Sequence, residues 1–142
     1  MRKTIKILVG LTAAIITVAI IGFVRGDENQ SPLRYIKIDS YHTEFKITKS
    51  HEVIITEEIH IQNRSNDSQK FKVIGIYSDD FNNGLLTTEK LNGYIGNHKQ
   101  EILELAANQK RIFTINFTGE KGAINTKQDR NPPKEIVFTI IE

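Results

Sequence analysis

The chain contains no cysteine and no tryptophan, and only one methionine and three prolines among its 142 residues. Without cysteine there can be no disulfide, no thiolate zinc site, no cysteine nucleophile and no lipid-modified cysteine, so a core has to hold by burial alone. No Gly-x-Ser-x-Gly turn, Walker glycine loop or dinucleotide fingerprint occurs, and the four histidines, His42, His51, His60 and His98, form no His-Glu-x-x-His pair. Long amphipathic helices are also missing, which argues against a βαβ fold.

One long apolar run stands out against these absences. Residues 7–24 carry no charge and include eleven Ile, Leu, Val and Phe residues, with Lys6 before the run and Arg25 after it. As a helix the run would extend roughly 27 Å, close to the ~30 Å hydrocarbon thickness of a bilayer. Summed side-chain transfer favours insertion by on the order of 3 to 7 kcal/mol. Lys6 and Arg25 can lay their stems in the apolar zone and place their charges among the headgroups. Arg2, Lys3 and Lys6 precede the run, whereas Arg25 is followed at once by Asp27 and Glu28. The excess of positive charge on the first flank keeps the N-terminus in the cytoplasm and exports the remainder. An Ala-x-Ala cleavage pattern is absent, so the expectation is an uncleaved signal anchor, with a cleaved signal peptide as the alternative.

The anchor distorts the composition of the whole. Lys and Arg number 19 against 17 Asp and Glu, and the four basic residues flanking the run leave 15 against 17 for residues 27–142. The exported part is slightly acidic, which gives no support to a nucleic-acid partner. Its length suits one domain. The expected organisation is an anchor over residues 1–26 spanning at 7–24, a short tether over 27–34, and one extracytoplasmic domain over 35–142. Three glycosylation sequons, at Asn63, Asn66 and Asn116, are read as chance matches.

Beyond residue 34 the pattern turns to short β-branched and aromatic runs. Strands are expected at residues 35–38, 44–48, 53–62, 71–77, within 85–95, at 101–107, 112–118 and 136–141. In 53–62, Val53, Ile55, Ile59 and Ile61 share one face, and Glu57 interrupts it. That carboxylate signals a sheet edge, a buried base as partner, or a bulge. The polar residues 63–69 suggest a hairpin turn. Apolar residues on both faces of 71–77 suggest a central strand. Residues 78–84 form a turn cluster, and 119–133 the longest loop.

The strand ending in Asn63, its polar turn, and the segment Glu104-Leu-Ala-Ala-Asn-Gln-Lys-Arg-Ile-Phe-Thr-Ile-Asn-Phe117 together resemble the immunoglobulin-like modules of bacterial surface proteins. In such modules a hairpin runs from a leucine through a short turn into a phenylalanine-bearing strand. The resemblance covers residues 35–142, without the Cys…Trp…Cys set of antibody domains. It implies an all-β, immunoglobulin-like antiparallel β-sandwich of seven or eight strands, preceded here by one transmembrane helix. The role it implies is spacing, adhesion or docking, and no activity.

Candidate chemistry is sparse. Glu58 and His60 share a strand face and would supply two metal ligands, short of the ~3 protein ligands of catalytic zinc. Asp79-Asp80-Phe81-Asn82-Asn83-Gly84 fails the spacing of a calcium loop and reads as an Asx-rich turn. Glu57 and Glu58 point to opposite faces, so no carboxylate pair is formed. No catalytic residue, metal ligand or cofactor is assigned. Tyr41, Phe81 and Tyr94 are placed in or beside turns, where packing in the core or at its rim is the preferred reading and stacking on a sugar or entering a partner's pocket the alternative. Two functions are expected: a membrane-anchored, non-catalytic interaction or scaffold module meeting another envelope protein or cell-wall polymer, or a secreted module that binds an envelope carbohydrate or assists an exported enzyme.

Overall fold

A computed structural model of the chain describes residues 31–124 and 132–142. The expected anchor over residues 1–26, with its span at 7–24, and the first part of the tether lie outside the described residues. Among the described residues no helix is long and apolar enough to cross a membrane.

The described residues form an all-β fold of eight antiparallel strands. They are β1 (Leu33–Tyr35), β2 (Tyr41–Ile47), β3 (Glu52–Asn63), β4 (Gln69–Ile76), β5 (Lys90–Tyr94), β6 (Leu103–Leu105), β7 (Lys110–Glu120) and β8 (Glu135–Ile141). A 3-10 turn (Lys37–Asp39) joins β1 to β2, and a one-turn helix α1 (Ser78–Asn82) follows β4. The hydrogen-bonded path runs β1-β3-β7-β5-β4-β6, with β2 also on β3 and β8 also on β4.

β3 and β7 form the spine, paired without interruption from Glu52 opposite Glu120 to Gln62 opposite Lys110. Their alternation is strict because each strand has one core face and one outer face: Val53, Ile55, Ile59 and Ile61 are buried, as are Phe113, Ile115 and Phe117. β4 contributes Phe71 and Val73. These two faces meet although β4 and β7 share no ladder. The Phe71 and Phe113 rings stand edge to face at 6.2 Å, and the Tyr77 and Phe117 rings at 5.5 Å. Each buried Ile or Phe stabilises the fold by about 1.5–3 kcal/mol.

Glycine makes room for that contact. A methyl group on Gly75 of β4 or Gly93 of β5 would collide with the Phe117 ring, at 2.9 and 3.0 Å. The ring therefore lies over two bare stretches of backbone.

Two connections differ from the sequence expectation. Residues 63–69 do not close a hairpin, because β3 pairs with β1, β2 and β7 while β4 pairs with β5, β6 and β8. Likewise the leucine strand β6 pairs with β4, and not with the phenylalanine strand β7 that follows it. Both links therefore join strands that share no ladder with one another. Each strand finds its partners elsewhere in the chain, where its apolar face can be buried. β4 is central as expected, with β8 on one side and β5 and β6 on the other.

The first strand also begins earlier than expected, at Leu33, whose side chain belongs to the core. The chain then turns at Lys37–Asp39 and leaves Ile38 93% exposed.

Candidate functional site

Glu57 lies on the core face of β3, fully buried, at the place where an Ile or Val would continue the alternation. Its position on the spine rules out the sheet-edge reading, and the other two readings both apply. The base is His42 of β2, whose Nδ1 lies 3.2 Å from Glu57 Oε1. The bulge lies on β2 as well: His42 opposes Glu57 and Glu44 opposes Thr56, which leaves Thr43 as the extra residue. This insertion shifts the alternation of β2 by one. His42 before it and Phe45 and Ile47 after it all face inward, opposite Glu57, Ile55 and Val53.

From the end of β4, which shares no ladder with β3, the Tyr77 hydroxyl donates to the same Glu57 oxygen at 3.4 Å. Burial, and next the negative charge of Glu57, push the Tyr77 phenol well above its ordinary value. Tyr35 of β1 also feels this carboxylate. Burial first and Glu57 second raise its phenol to about 12, and its hydroxyl donates to the Pro133 carbonyl at 3.0 Å. The cluster of Glu57, His42, Tyr77 and Tyr35 thus draws four strands or strand ends together around one carboxylate. A charged residue in an apolar phase was the sequence signal for it. Nothing in the sequence marked His42 and Tyr77 as its partners.

A second polar junction was read in the sequence only as a turn. Asn63, fully buried at the end of β3, donates through Nδ2 to the carbonyls of Asp67 at 2.8 Å and of Leu105 and Ala106, each at 3.1 Å. Its Oδ1 accepts from the Ser65 backbone at 2.9 Å and the Ser65 hydroxyl at 2.7 Å. Asn63 therefore fastens the link from β3 to β4 to the link from β6 to β7. Ser40 does a similar job between β1 and β2: its hydroxyl donates to the Ile36 carbonyl at 2.8 Å and accepts the His60 N–H at 3.0 Å.

The residues singled out as possible ligands are held apart. Glu58 and His60 share the outer face of β3, as their spacing required, and Glu58 accepts the Tyr41 hydroxyl. That bond is the main cause of the raised phenol of Tyr41. Asp79 and Asp80 lie in α1, and Asp79 pairs with Lys134 at 2.9 Å. Among the described residues no group of three or more His, Asp or Glu side chains is arranged to hold a metal ion.

The three aromatics expected at turns stand in different environments. Tyr41 on β2 is 50% exposed and Phe81 on α1 is 43% exposed. Tyr94 is instead buried at the end of β5, with Lys99 Nζ 5.5 Å above its ring. On the outer face, Tyr41, Glu58 and Thr114 form one cross-strand row, and His60 and Ile112 the next. What this arrangement offers chemically is a flat polar face with one exposed ring.

Compared with protein-family models, with curated proteins and with solved structures, the chain has no match in any of the three.

Proposed function

We propose that this chain is a membrane-anchored, extracytoplasmic module that engages another envelope component without catalysing a reaction, and that its strands form an immunoglobulin-like sandwich. The address is supported by the uncharged run at residues 7–24 and the basic flank before it. The sandwich is supported by the ring contacts between β4 and β7 and by the two crossing links.

The observation that carries the non-catalytic reading is the complete burial of Glu57. A general acid or base has to come within hydrogen-bond reach of a substrate. Glu57 is enclosed by the core, and its hydrogen bonds are spent joining β2, β3 and the end of β4. The most unusual carboxylate environment of the domain therefore serves its architecture.

A second reading rests on Tyr41. Its half-exposed ring, with the hydroxyl fixed on Glu58, favours a secreted module that stacks on an envelope carbohydrate.

Protease added outside intact cells, combined with fractionation and determination of the mature N-terminus, tests the first reading. Expected is a chain in the membrane fraction that still carries residues 1–24 and loses its C-terminal domain to the protease. A domain shielded inside the cell would overturn both readings, and a mature chain lacking residues 1–24 in the medium would select the second.

A further inference from the structure

The two outermost strands of the fold are protected very differently. β2 carries the bulge at Thr43 and turns Glu44 and Lys46 outward, three devices that discourage another strand from pairing with it. β8 has no bulge, and its one charged residue, Glu135, stands at its first position. It pairs with β4 in unbroken register from Glu135 opposite Ile76 to Ile141 opposite Lys70, and its residues 136–141 contain no charge, proline or glycine. Among the described residues its other edge joins no ladder. β1 approaches only its start, where the Tyr35 hydroxyl meets the Pro133 carbonyl.

The core is also unfinished along this edge. Phe138 and Ile140 point inward with Ile136, which is 7% exposed, yet Phe138 is half-buried and Ile140 is 38% exposed. On the outer face Val137 is 39% exposed beside Ile74. An edge of β-branched and aromatic residues, regular and open on both faces, suits the addition of one more strand.

Charge placement selects the occupant. In an antiparallel pairing of β8 with the β8 of a second copy, centred on Phe138, Lys134 of each copy opposes Glu142 of the other, and Val137 opposes Thr139. Opposite charges thus close both ends, Glu135 faces Ile141 of the other copy, residues 136–140 pair without charge, and no like charges face each other, while Lys134 exchanges the exposed Asp79 of its own chain for Glu142. Such end pairs set register more than affinity. We infer that β8 is a homodimerisation edge, at which two copies of this chain join their sheets about a two-fold axis through Phe138. The inference is independent of the envelope address proposed above.

The native absence of cysteine makes the test direct. In this register the Cβ atoms of residues 137 and 139 from different copies lie about 4.5–5.5 Å apart, whereas 137 to 137 and 139 to 139 are diagonal at about 7–8 Å. Only the first separation allows a disulfide with slight adjustment. Full-length Val137→Cys and Thr139→Cys chains, differently tagged and co-expressed, are expected to give several-fold more mixed disulfide dimer than either variant alone or a Glu44→Cys control on β2. The double variant Val137→Asp/Thr139→Asp, with strand content unchanged by circular dichroism, is expected to abolish crosslinking through an added Gly96→Cys reporter pair treated with a long bifunctional reagent, relative to the same reporter on the wild-type strand. Equal crosslinking at all positions, crosslinking to a different protein through residue 137 or 139, or unchanged association of the folded double variant would each overturn the inference.

Discussion

The side-chain amide of Asn63 donates to the backbone carbonyl of Leu105 at 3.1 Å, across 42 positions of sequence. Through this bond and its neighbours, the link from β3 to β4 is fastened to the link from β6 to β7. The Asn63 N–H itself donates to the Gln109 carbonyl at 2.8 Å, and the Asn108 N–H to the Ser65 carbonyl at 3.0 Å. Both links are thereby closed by the same few residues.

Replacing Asn63 by alanine removes the donor from three carbonyls and the acceptor from Ser65. Because the side chain is fully buried, water cannot take its place without opening the junction. Asn63→Ala should lower the unfolding free energy by about 2–4 kcal/mol. Denaturant titration of the full chain measures it, and a loss within the error of a surface substitution would show that the junction is held by packing.

The Glu57–His42 contact predicts a strong coupling. His42→Ala should destabilise by about 1–3 kcal/mol, because the buried carboxylate loses a partner. Changing Glu57 to leucine in the same chain should recover part of that loss, since a well-packed apolar pair often replaces a buried polar one without penalty. A double-mutant cycle reads the interaction. Additive effects would mean that the two side chains do not depend on one another.

Gly75 and Gly93 should tolerate no side chain while Phe117 is present. Gly75→Ala and Gly93→Ala are each expected to cost about 1–3 kcal/mol from overpacking against the ring. Phe117→Leu, destabilising alone, should reduce the further cost of either alanine. Equal costs with and without the ring, by thermal or denaturant unfolding, would place the strain elsewhere.

The tyrosines set an alkaline limit. Tyr77 is held well above the ordinary phenol value of 10.0, and Tyr35 at about 12. Above pH 10 the unfolded chain releases these protons while the folded chain keeps them, so the unfolded state binds fewer protons and stability falls as pH rises. Their contribution is complete below pH 10 and is lost progressively toward and beyond 12. Unfolding followed against pH should therefore become steep above 10, and Tyr77→Phe should make it shallower. Tyrosinate absorbance that develops fully near pH 10 in the folded chain would contradict this.

The strands were legible because their alternation is written locally. Residues 53–62 and 112–118 display period-two patterns, and the structure extends them to Glu52–Asn63 and Lys110–Glu120. The short run at 101–107 was expected as a strand, though its length alone does not demand one. β6 is a strand at Leu103–Leu105 because β4 supplies a ladder partner for it. Of the candidate aromatics, Tyr41 and Phe81 are exposed, against the preferred reading of core or rim packing. Tyr94 is not, because β5 extends through it and carries its ring to the sheet.

The sequence by itself determined the all-β class, the inward and outward rows of the long strands, and the misfit of one carboxylate at position 57. These follow from side-chain periodicity, which a strand expresses without knowing its neighbours. Only the tertiary structure decided which strands pair, that neither apparent hairpin forms a ladder between its own two strands, and that His42 and Tyr77 meet Glu57. Such contacts join residues 15 and 20 positions apart by way of different strands. The physical reason is that burial of two apolar faces is a property of the pair, and no single strand encodes its partner.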